Sequence, residues 1–403
     1  MTKDHLSRLA SKEIQDFIFS HEAEDDRSLV LKHDRILGIP SILIAQQIAG
    51  RRKAKQKLPS FYNQRGIVYP PGINLEQSSS ERAALLKNSL IRSNNIPLQC
   101  IVDLTGGFGI DTYFFSKQFE TVVHVEPNID LSCIAAHNHL SCGRNNIKHL
   151  TTTAEAFTKG IQFPVDLFYV DPSRRISGNK KVFLLKDCEP DILAMQKQLL
   201  SMASFVLIKT SPLLDIQQAI KELSSVAAIY VVAIDGECKE LLFLLKQNFE
   251  GDPVIIAINQ LKEREETFSF YAVNEKTASI QYANAESFLY EPNAAILKAG
   301  AFKGVGIRYG LQKLHPHTHL YTSLKLIDDF PGRIFKVKSP MKSNPKDATK
   351  FFSDKRVNII TRNYPLRAEA LKKKLKLNDG GYQYLIAATQ QTGPALYIAD
   401  RLK

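Results

Sequence analysis

The chain has 403 residues, 44% of them hydrophobic and 23% charged, enough to bury more than one core, so two or three domains are expected. No apolar run approaches the roughly 18 residues a membrane helix needs, and the opening MTKDHLSRLASKEI lacks the apolar centre of a secretory signal, so a cytoplasmic protein is expected. The five cysteines (Cys100, Cys133, Cys142, Cys188, Cys238) include no CxxC pair, which argues against a disulfide framework or a zinc ribbon. Net charge is +12, and residues 323–403 carry 17 Lys and Arg against 7 Asp and Glu, ten of the twelve excess charges. Such a field favours a polyanion, the alternative being a surface that only aids solubility.

Residues 5–58 read as helical, because SRLASKEIQDFIF and SILIAQQIAGRRKAKQ place apolar residues at steps of three and four. RRKAKQK, with five basic residues in seven, is either a solvated helix end or a contact to a phosphate backbone. The connector YPPGINLEQ follows, and Ser78 and Glu81 have the spacing of a capping box that would start a helix. From Ile101 to about Gln260 strands alternate with helices, the strands falling at 100–104, 121–125, 147–152, 165–170, 204–209, 227–234 and 253–258. That alternation predicts a parallel sheet covered on both faces. Beyond it, TFSFYAV and ASIQYA around NEKT read as a hairpin and EPNAAILKAG as a helix closed by Gly300. The basic end offers a strand at 357–362, a helix at 366–376, an NDGG turn and a hairpin of 382–389 with 395–400.

In an open parallel sheet the ligand lies at the carboxyl ends of the strands, near the point where strand order reverses. Four landmarks fall at such ends. VDLTGGFGID follows the first strand, with Asp103 and Asp111 bracketing Gly106, Gly107 and Gly109, where backbone can approach a ligand closely. Glu126 ends the second strand, where a carboxylate can take both hydroxyls of a ribose. Glu155 follows the third, and Asp171 with Pro172 follows the fourth. A nicotinamide-binding Rossmann domain would share the first two landmarks but wants a third glycine where this chain has Thr112.

The four landmarks together resemble the class I S-adenosylmethionine-dependent methyltransferases. The segments EQSSSERAALLK, DLTGGFGIDT, DPSRR, IKTSP, ITRNYPL and LKLNDGGYQYLIAAT resemble a bacterial group of these proteins that ends in ferredoxin-like and THUMP-like domains. The resemblance implies a Rossmann-like α/β sheet, an N-terminal helical region over 1–95 and a methyltransferase domain over 96–262. It further implies a ferredoxin-like segment over 263–322 and a THUMP-like, RNA-binding domain over 323–403. It also implies S-adenosylmethionine as cofactor, held by Asp103, Gly106, Gly107, Gly109, Asp111, Glu126 and Glu155, with Gln77 and Ser79 reaching its methionine end. Asp171, Pro172 and Arg174 would face the acceptor, and tRNA or rRNA would be the partner.

Three acceptor chemistries can be weighed. Carbon methylation of a pyrimidine needs a nucleophilic cysteine after strand four or five, where this chain has DPSRR and IKTSP. Base-nitrogen methylation uses an Asp or Asn followed by Pro-Pro and an aromatic; Asp171 and Pro172 fit the beginning, while Ser173 and Arg174 depart from the rest. Arg174 could stack on a base, hold a phosphate, or form a surface ion pair. Ribose methylation uses a Lys-Asp-Lys-Glu set, for which Lys87, Asp171, Lys209 and Glu237 or Glu240 stand in the right order. Lys209 ends the apolar strand SFVLIKT, where a charge is costly unless it reaches the cleft. His315, His317 and His319 in HPHTH have no accompanying ligand set, so a solvated loop and no metal are expected, and His137 and His139 belong to the helix after strand two. The expected function is methyl transfer to RNA, at a base nitrogen rather than a ribose oxygen. The alternatives are an inactive binding module, or a protein or small-molecule acceptor.

Overall fold

The helical spacing at the start of the chain produces helices Lys3–Leu9, Lys12–Ser20 and Asp26–Lys32 and the longer α1 (Ser41–Lys57). Leu9, Ile14, Ile18, Leu29, Ile44 and Ile48 form their common core. This computed structural model describes residues 3–174 and 184–403. The basic run on α1 is largely consumed within the molecule: Arg51 donates to Glu22 and to the Tyr62 carbonyl, both at 2.8 Å, Arg52 pairs with Asp26 and Lys53 with Glu76. The next helix, α2 (Glu81–Ser93), begins later than the capping-box spacing predicts. Ser80 caps it, accepting from the Ala83 amide at 3.3 Å, while Glu81 accepts from the Ser60 amide and hydroxyl at 2.8 and 2.6 Å. Ser78 instead closes the preceding helix Gly72–Gln77.

The described chain divides into two compact units, Met1–Val226 with Phe243–Glu250, and Ala227–Leu242 with Gly251–Lys403. In the first, β1 (Cys100–Asp103), β2 (Thr121–Val125), β3 (Ile147–Leu150), β4 (Val165–Val170) and β5 (Ala203–Thr210) pair in parallel in the order β3-β2-β1-β4-β5. Between them run α3 (Ile110–Phe115), α4 (Ile129–Ser141), α5 (Ala154–Gly160) and helix Ile192–Met202. Ile101, Val102, Val122, Val123, Leu167 and Phe168 are at most 1% exposed, as a sheet covered on both faces requires. The chain leaves β1 on one side through β2 and β3 and takes the other side with β4 and β5. Strand order therefore reverses between β1 and β4, and their carboxyl ends frame a crevice.

The strict alternation ends at a hairpin that the sequence reading missed. β6 (Val226–Ile234) turns through Asp235 and Gly236, both at positive φ (52° and 81°), into β7 (Glu237–Lys246). Glu237 and Glu240 thus lie on a strand; Glu237 is exposed beside Lys239 and Glu240 is buried. In the second unit β6 pairs in parallel with β8 (Val254–Gln260), and β8 is antiparallel to β9 (Glu265–Tyr271). The expected hairpin of TFSFYAV with ASIQYA does not form. NEKT belongs to helix Ala272–Thr277, fixed because Glu275 accepts from the Lys303 and Gly304 amides at 2.6 and 2.8 Å.

A seven-stranded sheet completes the second unit. It contains β10 (Phe288–Pro292), β11 (Gln312–His315), β12 (Thr318–Ser323), β13 (Gly332–Pro340), β14 (Asn358–Arg362), β15 (Gln383–Gln390) and β16 (Gly393–Arg401), in the order β11-β12-β10-β13-β16-β15-β14. HPHTH forms the tip of the β11/β12 hairpin rather than a free loop, and His319 stacks on Phe302 with centroids 3.8 Å apart. Helix α6 (Ala294–Ala299) is closed by Gly300 at φ 83°, and α7 (Pro345–Phe351) and α8 (Ala368–Leu375) pack through Ala348, Phe352, Leu371 and Leu375. Among the described residues no helix is long and apolar enough to cross a membrane.

Candidate active site

The glycine loop is built around a buried carboxylate. Asp103, 1% exposed at the end of β1, accepts from the Thr105 amide at 3.1 Å and from the Thr112 hydroxyl at 2.6 Å. Thr112 stands where a nicotinamide-binding loop would carry its third glycine, and here the position supplies a hydroxyl that the strand-end carboxylate needs. Thr105 also accepts from the Asp171 amide at 2.7 Å through its hydroxyl oxygen, which joins the loop to the end of β4. Burial pushes the Asp103 carboxyl up to about 7, against the lowering effect of the Thr112 hydrogen bond and with a further push from the charge of Asp111.

Asp111, in the first turn of α3, lies in a second network. Its carboxylate accepts from the Ser79 hydroxyl at 2.6 Å and the Tyr169 hydroxyl at 2.8 Å. The fully buried Lys87 ammonium stands 3.2 Å from its other oxygen and donates to Ser79 at 3.1 Å. Burial alone would raise this carboxyl, but the Lys87 and Lys209 charges and the two hydroxyl bonds together hold it below the ordinary value. Lys209, at the end of β5, pairs with Asp171, which keeps a third of its side chain exposed. The two neighbouring aspartates are thus pushed in opposite directions, Asp103 up by burial and Asp111 held below the ordinary carboxylate value by the lysine charges.

Glu126 ties the second strand to the loop, one oxygen accepting from the Gly107 amide and the other from the Asn128 amide, both at 2.8 Å. Pro172 is buried beside Asp171. Arg174 lies on a short bridge with Cys188, but its side chain, like all of Arg175, falls outside the described residues. Gln77 and Glu155 are exposed, at the end of helix Gly72–Gln77 and in the first turn of α5, and join neither network. Of the ribose-type set, Lys209 and Asp171 meet, whereas Lys87 binds Asp111 and Ser79. Ser79, Asp103, Asp111, Glu126, Asp171 and Lys209 are therefore drawn into bonded networks together with Tyr169, Thr105 and Thr112.

Sequence reasoning missed what lies under the loop. A Cβ built on Gly106 would stand 2.3 Å from Nε2 of His124, and one on Gly109, at φ 84°, 2.6 Å from the His139 ring. Glycine is required at these two positions by imidazoles below the loop, whatever binds above it. A Cβ on Gly107 would meet only the Thr105 carbonyl, at 3.9 Å, leaving space over that residue. Burial raises the Cys100 and Cys142 thiols to about 11 and also pushes up that of Cys238.

Two C-terminal segments match family models, residues 288–331 a ferredoxin-like domain and residues 332–401 a THUMP domain-like module. Over its whole length the chain is similar to a "putative methyltransferase" of Porphyromonas gingivalis W83, at 30% identity and a TM-score of 0.89, covering 100% of both chains. Partial matches include an rRNA methylase of Streptococcus thermophilus, at 14% identity and a TM-score of 0.32 over 41% of this chain and 97% of that one. Another is a "putative methyltransferase" of Streptococcus mutans in complex with SAH, at 13% identity and 0.31 over 40% and 97%. No curated protein matches. The chain belongs to the family of the Porphyromonas protein. This chain joins a Rossmann-like class I methyltransferase fold to ferredoxin-like and THUMP-like C-terminal domains, as the sequence resemblance implied.

The raised Asp103 carboxyl makes a pH prediction. In the unfolded chain this group ionises near 4, so its stabilising contribution is complete below that pH and is lost as pH rises toward 7. Asp103→Asn lacks that loss. Its unfolding free energy relative to wild type should climb by ~1 kcal/mol per pH unit between pH 5 and 7 and level off above pH 8. Urea titrations across that range check it, and a difference independent of pH contradicts it.

Proposed function

We propose that the protein is an S-adenosylmethionine-dependent RNA methyltransferase that acts on tRNA or rRNA and transfers the methyl group to a base nitrogen. The observation that carries this reading is the convergence of the glycine loop, Glu126 and the Asp171–Lys209 pair on one crevice, in a chain whose full-length relative is described as a "putative methyltransferase". The residues present suit the cofactor. Space over Gly107, a backbone-anchored carboxylate at Glu126 and an ionised Asp111 are groups that can receive a nucleoside and an amino-acid ammonium. Asp103, Gly106, Gly107, Gly109, Asp111, Glu126 and Glu155 would hold it, with Gln77 and Ser79 toward its methionine end. When bound, it supplies a methyl group on a sulfonium, open to in-line displacement.

The chain's own task is then to orient the acceptor and receive its proton. Asp171 has one carboxylate oxygen on Lys209 and its amide on Thr105, so it is fixed in direction while partly exposed. It can accept from an exocyclic amino group, and Pro172 and Arg174 would face the same acceptor. A second reading, ribose methylation, is favoured by the Lys209–Asp171 pair itself, because an ammonium beside a carboxylate can ease deprotonation of a hydroxyl.

RNA docking is assigned to the second unit. Residues 342–382 carry eleven Lys and Arg against four Asp and Glu. Tyr382, 98% exposed, follows a turn braced by Asn358, which donates to the Gly381 carbonyl at 2.9 Å, with Lys355 and Arg356 pairing against Asn378. Cations around an exposed aromatic suit phosphates flanking an unpaired base.

Labelled S-adenosylmethionine and total RNA from cells lacking the gene, digested to nucleosides, should place label in a single base-modified nucleoside. Asp171→Ala should lower that labelling at least ~100-fold while cofactor affinity stays within about threefold. Label in a 2′-O-methyl nucleoside would select the second reading; no label with cofactor binding intact would select a protein acceptor or a binding module. Tyr382→Ala should weaken RNA binding about tenfold, in line with the loss of one stacked base, in a filter assay at fixed salt. Unchanged affinity would remove Tyr382 from the interface.

A further inference from the structure

Three histidines meet beneath the glycine loop: His124 from β2, His139 from α4 and His149 from β3, with ring centroids 5.1 to 6.0 Å apart. His124 and His139 are completely buried. Nε2 of His139 lies 2.8 Å from the Gly109 carbonyl oxygen, which can only accept, so this nitrogen carries the proton. The other nitrogen of the neutral ring therefore accepts, and His149 donates to it across 2.9 Å. The relay runs from His149 through His139 to the loop carbonyl, and it fixes both tautomers.

His124 is different. Its ring makes no hydrogen bond of ordinary geometry but lies against the backbone of Gly106 and Gly107, with Nε2 aimed at Gly106 from inside the fold. An apolar side chain would fill the same space but could not meet the backbone polar groups of Gly106 and Gly107, so packing alone does not account for an imidazole here. Burial holds all three rings well below the ordinary histidine value and hence neutral at physiological pH, so the loop rests on a floor of uncharged imidazoles.

We propose that His124 and His139 are positioning residues for the S-adenosyl ligand: they set the path of the backbone from Gly106 to Gly109, and ligand affinity depends on them although neither ring is exposed. His139 sets the Gly109 end by donating to its carbonyl. His124 sets the Gly106 end by contact so close that no side chain fits between. Loop and floor are therefore matched as a pair, and a change in one should be correctable in the other. This inference rests on the reading of the loop as an S-adenosyl site.

The test titrates the full-length protein with S-adenosylhomocysteine in a calorimeter. Gly106→Ala should lose at least ~30-fold in affinity and His124→Ala about tenfold, whereas the double variant should bind more tightly than Gly106→Ala, the new methyl occupying the space of the removed ring. His139→Gln keeps an N–H for the Gly109 carbonyl and should stay within about threefold of wild type; His139→Met, of similar size, should lose about tenfold at an equal melting temperature. Multiplicative losses in the double variant, or equal affinities for His139→Gln and His139→Met, would overturn the proposal. The His139 pair decides the matter if the His124 variants do not fold. If wild type does not bind the ligand, the cofactor reading fails instead. Amide exchange at Gly107 and Phe108 in the free protein still tests positioning alone, with faster exchange expected in His139→Met than in His139→Gln.

Discussion

The crevice is organised by one requirement: Asp103 sits at the end of a buried strand with almost no access to water, so its oxygens must be satisfied by the chain itself. The Thr105 amide takes one oxygen and the Thr112 hydroxyl the other, which draws the loop back over the strand and starts α3 at a fixed distance. Thr105 then reaches the Asp171 amide, and Asp171 reaches Lys209. A single desolvated carboxylate thereby links β1, the loop, α3, β4 and β5, and the residues assigned to cofactor and to acceptor belong to one bonded framework.

The same framework separates charge. Burial, with a further push from the charge of Asp111, drives the Asp103 carboxyl up, while Lys87 and Lys209 hold the Asp111 carboxyl below its ordinary value. Unlike environments for like groups are a common way for one site to hold two carboxyls at different proton affinities. The glycines answer a second constraint. Gly106 and Gly109 leave room for His124 and His139 below, and Gly107 leaves room above, so the motif serves both the fold and the proposed ligand.

The fold was legible where burial is two-sided. The apolar runs at 121–125 and 165–170 became strands with the expected bounds, and the carboxyl-end placement of Asp103, Glu126 and Asp171 followed from strand order. The β6/β7 hairpin was missed because its signal is only an Asp-Gly pair between apolar runs. Ser80 displaced Ser78 as a cap, and NEKT became helix because Glu275 is tied to amides nearly thirty residues away. The roles of Tyr169, Thr112 and the imidazole floor were not legible because a lone tyrosine, threonine or histidine carries no spacing signal, and most of their partners are distant in sequence. The charge excess at the C-terminus was plain, but its free portion was not, since Arg333 and Arg362 are both held by the buried Glu291.

In the proposed function the crevice between β1 and β4 would bind an S-adenosyl nucleoside through Glu126. The most direct measurement is the affinity of S-adenosylhomocysteine for wild type and for Glu126→Ala, each confirmed folded by circular dichroism. Wild type should bind at one site per chain, and the variant should lose at least ~30-fold in affinity, about 2 kcal/mol. No binding to wild type, or equal affinity for both proteins, would contradict it.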